Sequence, residues 1–224
     1  MRALVLQHEE PTPAGVSLDW LEERGAEVDL HRIDVEERAV DLAEHDMIVS
    51  LGSEFAAFDD HIPWIPRELE LLREAVERDV PVLGVCFGGQ LLARAFGGRT
   101  FRSDVSEIGW LPVRSHEPEL VPEGPWFQWH FDSFTVPDGA RLIADSPVGP
   151  QAYLLGRSLG LQFHPEVTTR IMDDWVREYR HELAGQGVDP DGLLEETERQ
   201  APENRRRAWA LLDGWTDREG IDGR

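Results

Sequence analysis

The chain has 224 residues with 22 basic against 44 acidic side chains, a formal charge of −22 and a single cysteine. Its length suits one α/β domain with a small appendage and suffices to bury a large core. The charge speaks against nucleic acid and acidic membrane surfaces as partners, because phosphate binding needs clustered positive charge, and one cysteine leaves no intramolecular disulfide.

Arg2 to Gln7 reads as a first strand, and Ser17 to Arg24 as a helix closed by Gly25. Val28 to Ile33 alternates apolar and polar positions as a second strand would. Met47 to Leu51 is a continuous apolar run ending at Gly52, the mark of a buried third strand. From Pro66 the spacing of Leu69, Leu72 and Val76 predicts an amphipathic helix that stops before Pro81. Val82 to Val85 then forms a short apolar strand that runs into Cys86, and Leu91, Leu92, Ala95 and Phe96 give a helix closed at Gly97-Gly98.

After Gly98 the pattern loosens. Ile108 to Val113, Thr135-Val136 and Arg141 to Ala144 are short strand candidates among many prolines and glycines. Ala152 to Leu155 and Ser158 to Phe163 flank Gly156-Arg157 as a hairpin would. Met172, Trp175, Val176 and Tyr179 recur at helical spacing. Residues 185–204 are polar and interrupted by Gly and Pro, which suggests a linker-like break near 184–190. Ala208, Leu211, Leu212 and Trp215 line one face of a last helix, read as a packing face, with partner docking as the second option. Strands alternating with helices predict a three-layer αβα sandwich around a mostly parallel sheet, flavodoxin-like, with short antiparallel additions in the second half. The expected organisation is one domain over 1–183 and a helical extension over 184–224.

No run approaches the 18 or so apolar residues of a membrane span, and the apolar start of the chain is too brief for a signal peptide; a cytoplasmic protein is expected. The basic residues are all arginine, so lysine chemistry such as a Schiff base or a phosphate-loop lysine is excluded. The eight histidines are scattered without ligand spacing, so neither a metal nor another cofactor is expected.

The strand–turn–helix around Cys86 is the arrangement of a nucleophile elbow. A helix N-terminus offers unpaired N–H groups and partial positive charge, both of which favour thiolate over thiol. A lone cysteine is more often a small buried hydrophobe, so the reading needs a base. His164-Pro165-Glu166 supplies one. Pro165 biases His164 toward an extended conformation, and in an extended segment Glu166 projects to the same side as His164. A carboxylate on one ring nitrogen leaves the other free to take the thiol proton. A surface turn is the alternative for His-Pro-Glu taken by itself. Trp129, His130 and Asp132 form a second imidazole–carboxylate pair two residues apart, in what reads as an aromatic-rich loop; pocket rim, structural polar pair and rival triad are all open for it.

GVCFGGQ followed by LQFHPE resembles the triad-type (class I) glutamine amidotransferase family, in particular the glutaminase part of GMP synthase and its stand-alone relatives, over roughly residues 1 to 183. The family's Gly-x-Cys-x-Gly-x-Gln is matched by Gly84, Cys86, Gly88 and Gln90, and its His-Pro-Glu by His164, Pro165 and Glu166. The resemblance implies that Cys86 attacks the side-chain amide of glutamine, that His164 serves as base and that Glu166 orients it. It implies oxyanion donors on the backbone of Phe87 and Gly52, and substrate contacts from Gln90, Gly88, Ser53, Trp129 and His130. It also implies glutamine or another γ-glutamyl compound as the small-molecule substrate and a synthetase or amidating subunit in trans as candidate ammonia acceptor. A γ-glutamyl hydrolase uses the same acyl chemistry, and a non-catalytic regulator or thiol sensor on the same fold is the reading from another class. This chain departs from the family at the loop after the third strand, where Leu51-Gly52-Ser53-Glu54 replaces the common Gly-Gly-Pro type. An oxyanion loop of different shape, or one set by a partner, is therefore a further expectation.

Overall fold

The computed structural model describes residues 1–221. Nine strands form one sheet and five helices cover it. In chain order they are β1 (Arg2–Gln7), α1 (Gly15–Glu23), β2 (Glu27–Arg32), β3 (Met47–Ser50), α2 (Trp64–Glu77), β4 (Val82–Val85), α3 (Phe87–Ala95), β5 (Thr100–Ser115), β6 (Gly124–Phe134), β7 (Arg141–Asp145), β8 (Pro150–Leu155), β9 (Ser158–Leu161), α4 (Thr169–Gly185) and α5 (Pro190–Glu219). The sheet order is β2-β1-β3-β4-β9-β8-β7-β5-β6. Strands β2 through β9 of that order pair in parallel, and β8 onward pair antiparallel.

The parallel half is buried on both faces, which explains its unbroken apolar runs. Ala3, Val5, Met47, Val49, Leu83 and Val85 face one core, shared with Trp20 and Leu21 of α1 and with Ala208, Leu211, Leu212 and Trp215 of α5. Leu4, Leu6, Ile48 and Val82 face the other, against α2 and α3. Successive residues of one strand point to opposite sides, so each strand feeds both cores. The expected α/β sandwich with a parallel first half is the one found.

The second half of the chain differs from expectation in several places. β5 and β6 are long and paired over most of their length, with a register irregularity between Arg102 and Glu107. Trp129, His130 and Asp132 therefore stand on a strand and not in a loop, while Thr135-Val136 lies beyond the end of β6. The polar stretch after Gly185 is a break of four residues followed by helix. Asp189 caps the N-terminus of α5, its side chain accepting from Asp191 N–H, and Pro190 occupies the first turn, where a missing N–H costs nothing. Pro202 lies inside the same helix. The buried stripe of α5 mixes Leu193, Leu211 and Leu212 with Thr197, Asn204 and Arg207, which hid its first half from a hydrophobicity reading.

Candidate functional site

The carboxyl ends of β3, β4 and β9 converge on one cleft, where a parallel sheet places its sites. Cys86 follows β4 with φ 50° and ψ −104°, a backbone conformation that costs a non-glycine residue energy and that the surroundings must enforce. They do so through its N–H, which donates to Leu161 O on β9 at 2.9 Å, and through its carbonyl, which accepts from Gln90 N–H at 2.9 Å. The glycines around it are steric necessities. A Cβ on Gly84 would sit 2.6 Å from the Gly88 carbonyl, one on Gly88 2.2 Å from Ser50 O, and one on Gly89 2.3 Å from Leu161 O. Phe87 opens α3, so its N–H has no intrahelical acceptor and is directed out of the helix end.

β9 ends at Leu161 and the chain continues through Gln162 and Phe163 to His164. The His164 N–H donates to Phe127 O of β6 at 2.8 Å, which sets where the ring emerges. His164 Nδ1 meets Glu166 Oε1 at 2.7 Å, with both side chains buried. Its Nε2 is buried with no hydrogen-bond partner and is the ring nitrogen left for the Cys86 thiol. Burial disfavours the charged ring, but the Glu166 carboxylate and the Cys86 sulfur beside it outweigh burial and raise the His164 pKa to about 10. Gly52 closes the group: a Cβ there would lie 3.0 Å from His164 Cε1 and 4.0 Å from Cys86 Cβ. Cys86, His164, Glu166, Gly52 and Phe87 are thus brought together.

The remaining predicted residues divide. Gln90 lines the cleft, its Nε2 donating to Asp132 O and Gln162 Oε1 at 3.1 Å each. Ser53 lines it too, but its hydroxyl donates to Glu9 Oε1 at 2.6 Å. Trp129 forms a wall with Trp175 and Tyr179, and its Nε1 donates to Glu182. His130 reaches the cleft with its Nδ1 on Asp132 O at 3.0 Å and its Nε2 3.1 Å from Glu107 Oε2. The Asp132 carboxylate faces Arg102 at 3.3 Å instead, so His130 and Asp132 do not form a second dyad. Gly88 lies behind the cleft wall against Ser50. Gln162, whose Nε2 is 3.6 Å from Cys86 Sγ, escaped the sequence reading, although it stands two residues before His164 on an extended segment. The cleft is open to solvent at its mouth and has a volume of about 240 Å³.

Fold and site together define an α/β protein with a cysteine elbow and a buried His–Glu pair at the carboxyl ends of adjacent parallel strands. The family "Glutamine amidotransferase class-I" matches residues 16–178, and the chain belongs to that family. It is 37% identical over 143 residues to a GMP synthase [glutamine-hydrolyzing] of Thermus thermophilus, covering 59% of this chain and 28% of that protein. It is 33% identical over 208 residues to the GMP synthase of Alkalilimnicola ehrlichii, covering 80% of this chain and 37% of the relative. The chain thus spans little more than a third of these relatives at most. A crystal structure of a glutamine amidotransferase from Thermotoga maritima superimposes with a TM-score of 0.90 at 30% identity, covering 97% of this chain and 98% of the other. A glutamine amidotransferase from Methylobacillus flagellatus gives 0.89 at 28% identity, covering 96% and 94%. Among the described residues no helix is long and apolar enough to cross a membrane.

Proposed function

We propose that this chain is a glutaminase-type amidotransferase unit, carried by one observation: the free Nε2 of a Glu166-anchored His164 beside Cys86 at the mouth of α3. His164 takes the Cys86 proton, and the thiolate attacks the γ-carboxamide carbon of glutamine. Negative charge gathers on the carbonyl oxygen, where the N–H groups of Phe87 and Gly52 receive it. As the tetrahedral adduct collapses, His164 returns its proton to the leaving nitrogen, ammonia departs and a γ-glutamyl thioester remains. Water then gives a proton to His164 and attacks the thioester, releasing glutamate and restoring the thiol. Gln90, Trp129 and His130 line the space for the amino-acid portion, while Ser53 and Gly88 act on it through the loop and the elbow.

A cleft of about 240 Å³ accommodates an amino-acid-sized group such as the γ-glutamyl portion of a substrate. The relatives are GMP synthases, and by analogy a synthetase subunit in trans is the ammonia acceptor. The test is ammonia release from glutamine by wild type and by Cys86→Ala, with and without a co-purified synthetase. Ammonia from wild type alone is expected, with Cys86→Ala at background. Faster cleavage of a γ-glutamyl peptide than of glutamine gives the hydrolase reading the place, and no turnover of either, with partners added, leaves the thiol sensor.

A further inference from the structure

Behind the Gly52 loop lies a further histidine–carboxylate pair that the chemistry above does not use. His8 follows β1, Glu68 is on α2 and Ser50 ends β3, and all three side chains are fully buried. His8 Nδ1 donates to Gly52 O at 2.9 Å, His8 Nε2 meets Glu68 Oε2 at 2.7 Å, and the Ser50 hydroxyl donates to Glu68 Oε1 at 2.6 Å. Since a carbonyl only accepts, Nδ1 carries a proton, and the Glu68 contact holds the ring in that orientation. The imidazole stacks on Trp64 at 5.0 Å and meets the Phe87 ring edge-on at 4.8 Å, so it touches the Gly52 backbone and the side chain of the residue after the thiol.

Two successive carbonyls of the loop are therefore held from outside. Leu51 O accepts from Gly88 N–H at 3.1 Å, and Gly52 O accepts from His8. In a planar trans peptide the N–H lies opposite the C=O, so the bond to Leu51 O sets the direction of the Gly52 amide, the oxyanion donor, and the bond from His8 sets that of the Ser53 amide next to it. Removing the His8 donor would leave a buried carbonyl unpaired, and rotating the Gly52–Ser53 peptide is the way for it to find another partner. From this geometry, and resting on the glutaminase reading, we infer that His8, backed by Glu68 and Ser50, is the positioning residue that locks the Gly52–Ser53 peptide, keeps its rotation from dragging the neighbouring Gly52 donor out of line, and so presets the oxyanion loop within this chain. The His8–Glu68 pair does for a Leu-Gly-Ser-Glu loop what a partner subunit would otherwise have to do.

Two near-isosteric variants separate the two ring nitrogens. An asparagine amide stands where Nδ1 was and still donates to Gly52 O, whereas a glutamine amide stands where Nε2 was and leaves Gly52 O unpaired. With glutamine as substrate and no partner present, His8→Gln should lose about 10- to 100-fold in kcat with KM changed less than about threefold, and His8→Asn should stay within about fivefold of wild type. Alkylation of Cys86 by iodoacetamide uses no oxyanion donor, so its rate should be the same in all three proteins. Wild-type turnover by His8→Gln, equal losses in the two variants, or alkylation falling in step with turnover overturns the inference. Should His8→Gln not fold, Glu68→Gln, which keeps the shape and removes the charge, should lose roughly three- to tenfold in kcat by the same route; no loss counts against it. Wild type inert toward glutamine would instead sink the functional reading. Crystal structures of the variants then decide the loop: a rotated Gly52–Ser53 peptide in His8→Gln but not in His8→Asn supports the positioning role, and an unrotated one in both overturns it.

Discussion

At the scale of single residues the site rests on a buried imidazole whose protonation Glu166 controls. The His164 pKa is raised to about 10, above its ordinary value near 6.5, despite burial, because Glu166 and Cys86 favour the charged ring. A group whose folded pKa is raised stabilises the fold fully below its unfolded value and loses that contribution as pH rises through the folded one. The gap in thermal midpoint between wild type and Glu166→Gln should therefore be widest below about pH 6.5 and shrink as pH rises through about 10. Thermal melts across that range check this, and a gap that widens with pH contradicts the assignment. Which residues could be read in advance follows from their chemistry. Cys86, His164 and Glu166 stand at spacings that few structural roles require. His8 and Glu68 did not stand out, because nothing in their neighbourhood along the chain names a partner. In retrospect Glu68 was detectable, as a carboxylate on the apolar face of α2 between Ile65 and Leu72.

At the scale of elements, the two cores explain which segments were legible. β1, β3 and β4 are buried on both faces and read as apolar runs. β5 and β6 form a two-stranded arm that carries exposed polar and apolar residues alike, including Phe101 and Val105, so its pattern dissolved into short pieces. Helix α5 reaches the site from a distance. Asn204, fully buried, donates from Nδ2 to Pro165 O and Val167 O at 3.1 Å each, while Val16 N–H at the start of α1 donates to Glu166 O at 2.9 Å. Two helices thus hold the turn that carries the His–Glu pair. Asn204→Leu would strand two buried carbonyls, at a cost of about 1–3 kcal/mol for an unsatisfied group. Urea unfolding should show a lower midpoint with an unchanged slope, together with reduced ammonia release; an unchanged midpoint would mean that α5 does not brace this turn.

At the scale of the whole molecule, the net charge dominates. With 44 carboxylates against 22 arginines, half the acidic groups have no cationic counterpart to pair with. Pairs such as Arg38–Asp29 and Arg114–Asp145 are largely exposed and contribute little one by one. The excess negative charge repels itself in the compact state. Raising NaCl from ~0.01 M to ~1 M shortens the screening length from about 30 Å to about 3 Å, so the thermal midpoint should rise with salt. A midpoint that falls would show the ion pairs outweighing the repulsion.

The pairing of β4 with β9 has a consequence for biosynthesis. These neighbouring strands carry Cys86 and lead to His164, yet the whole of β5 through β8 lies between them in the chain. A ribosome delivers the thiol long before the imidazole exists, and domains assemble as their chain emerges. Until β9 slots beside β4, Cys86 lacks both the His164 ring proposed as its proton acceptor and the Leu161 carbonyl that holds its N–H. On the proposed reading, the cysteine and its base meet only with the closing strand of the sheet.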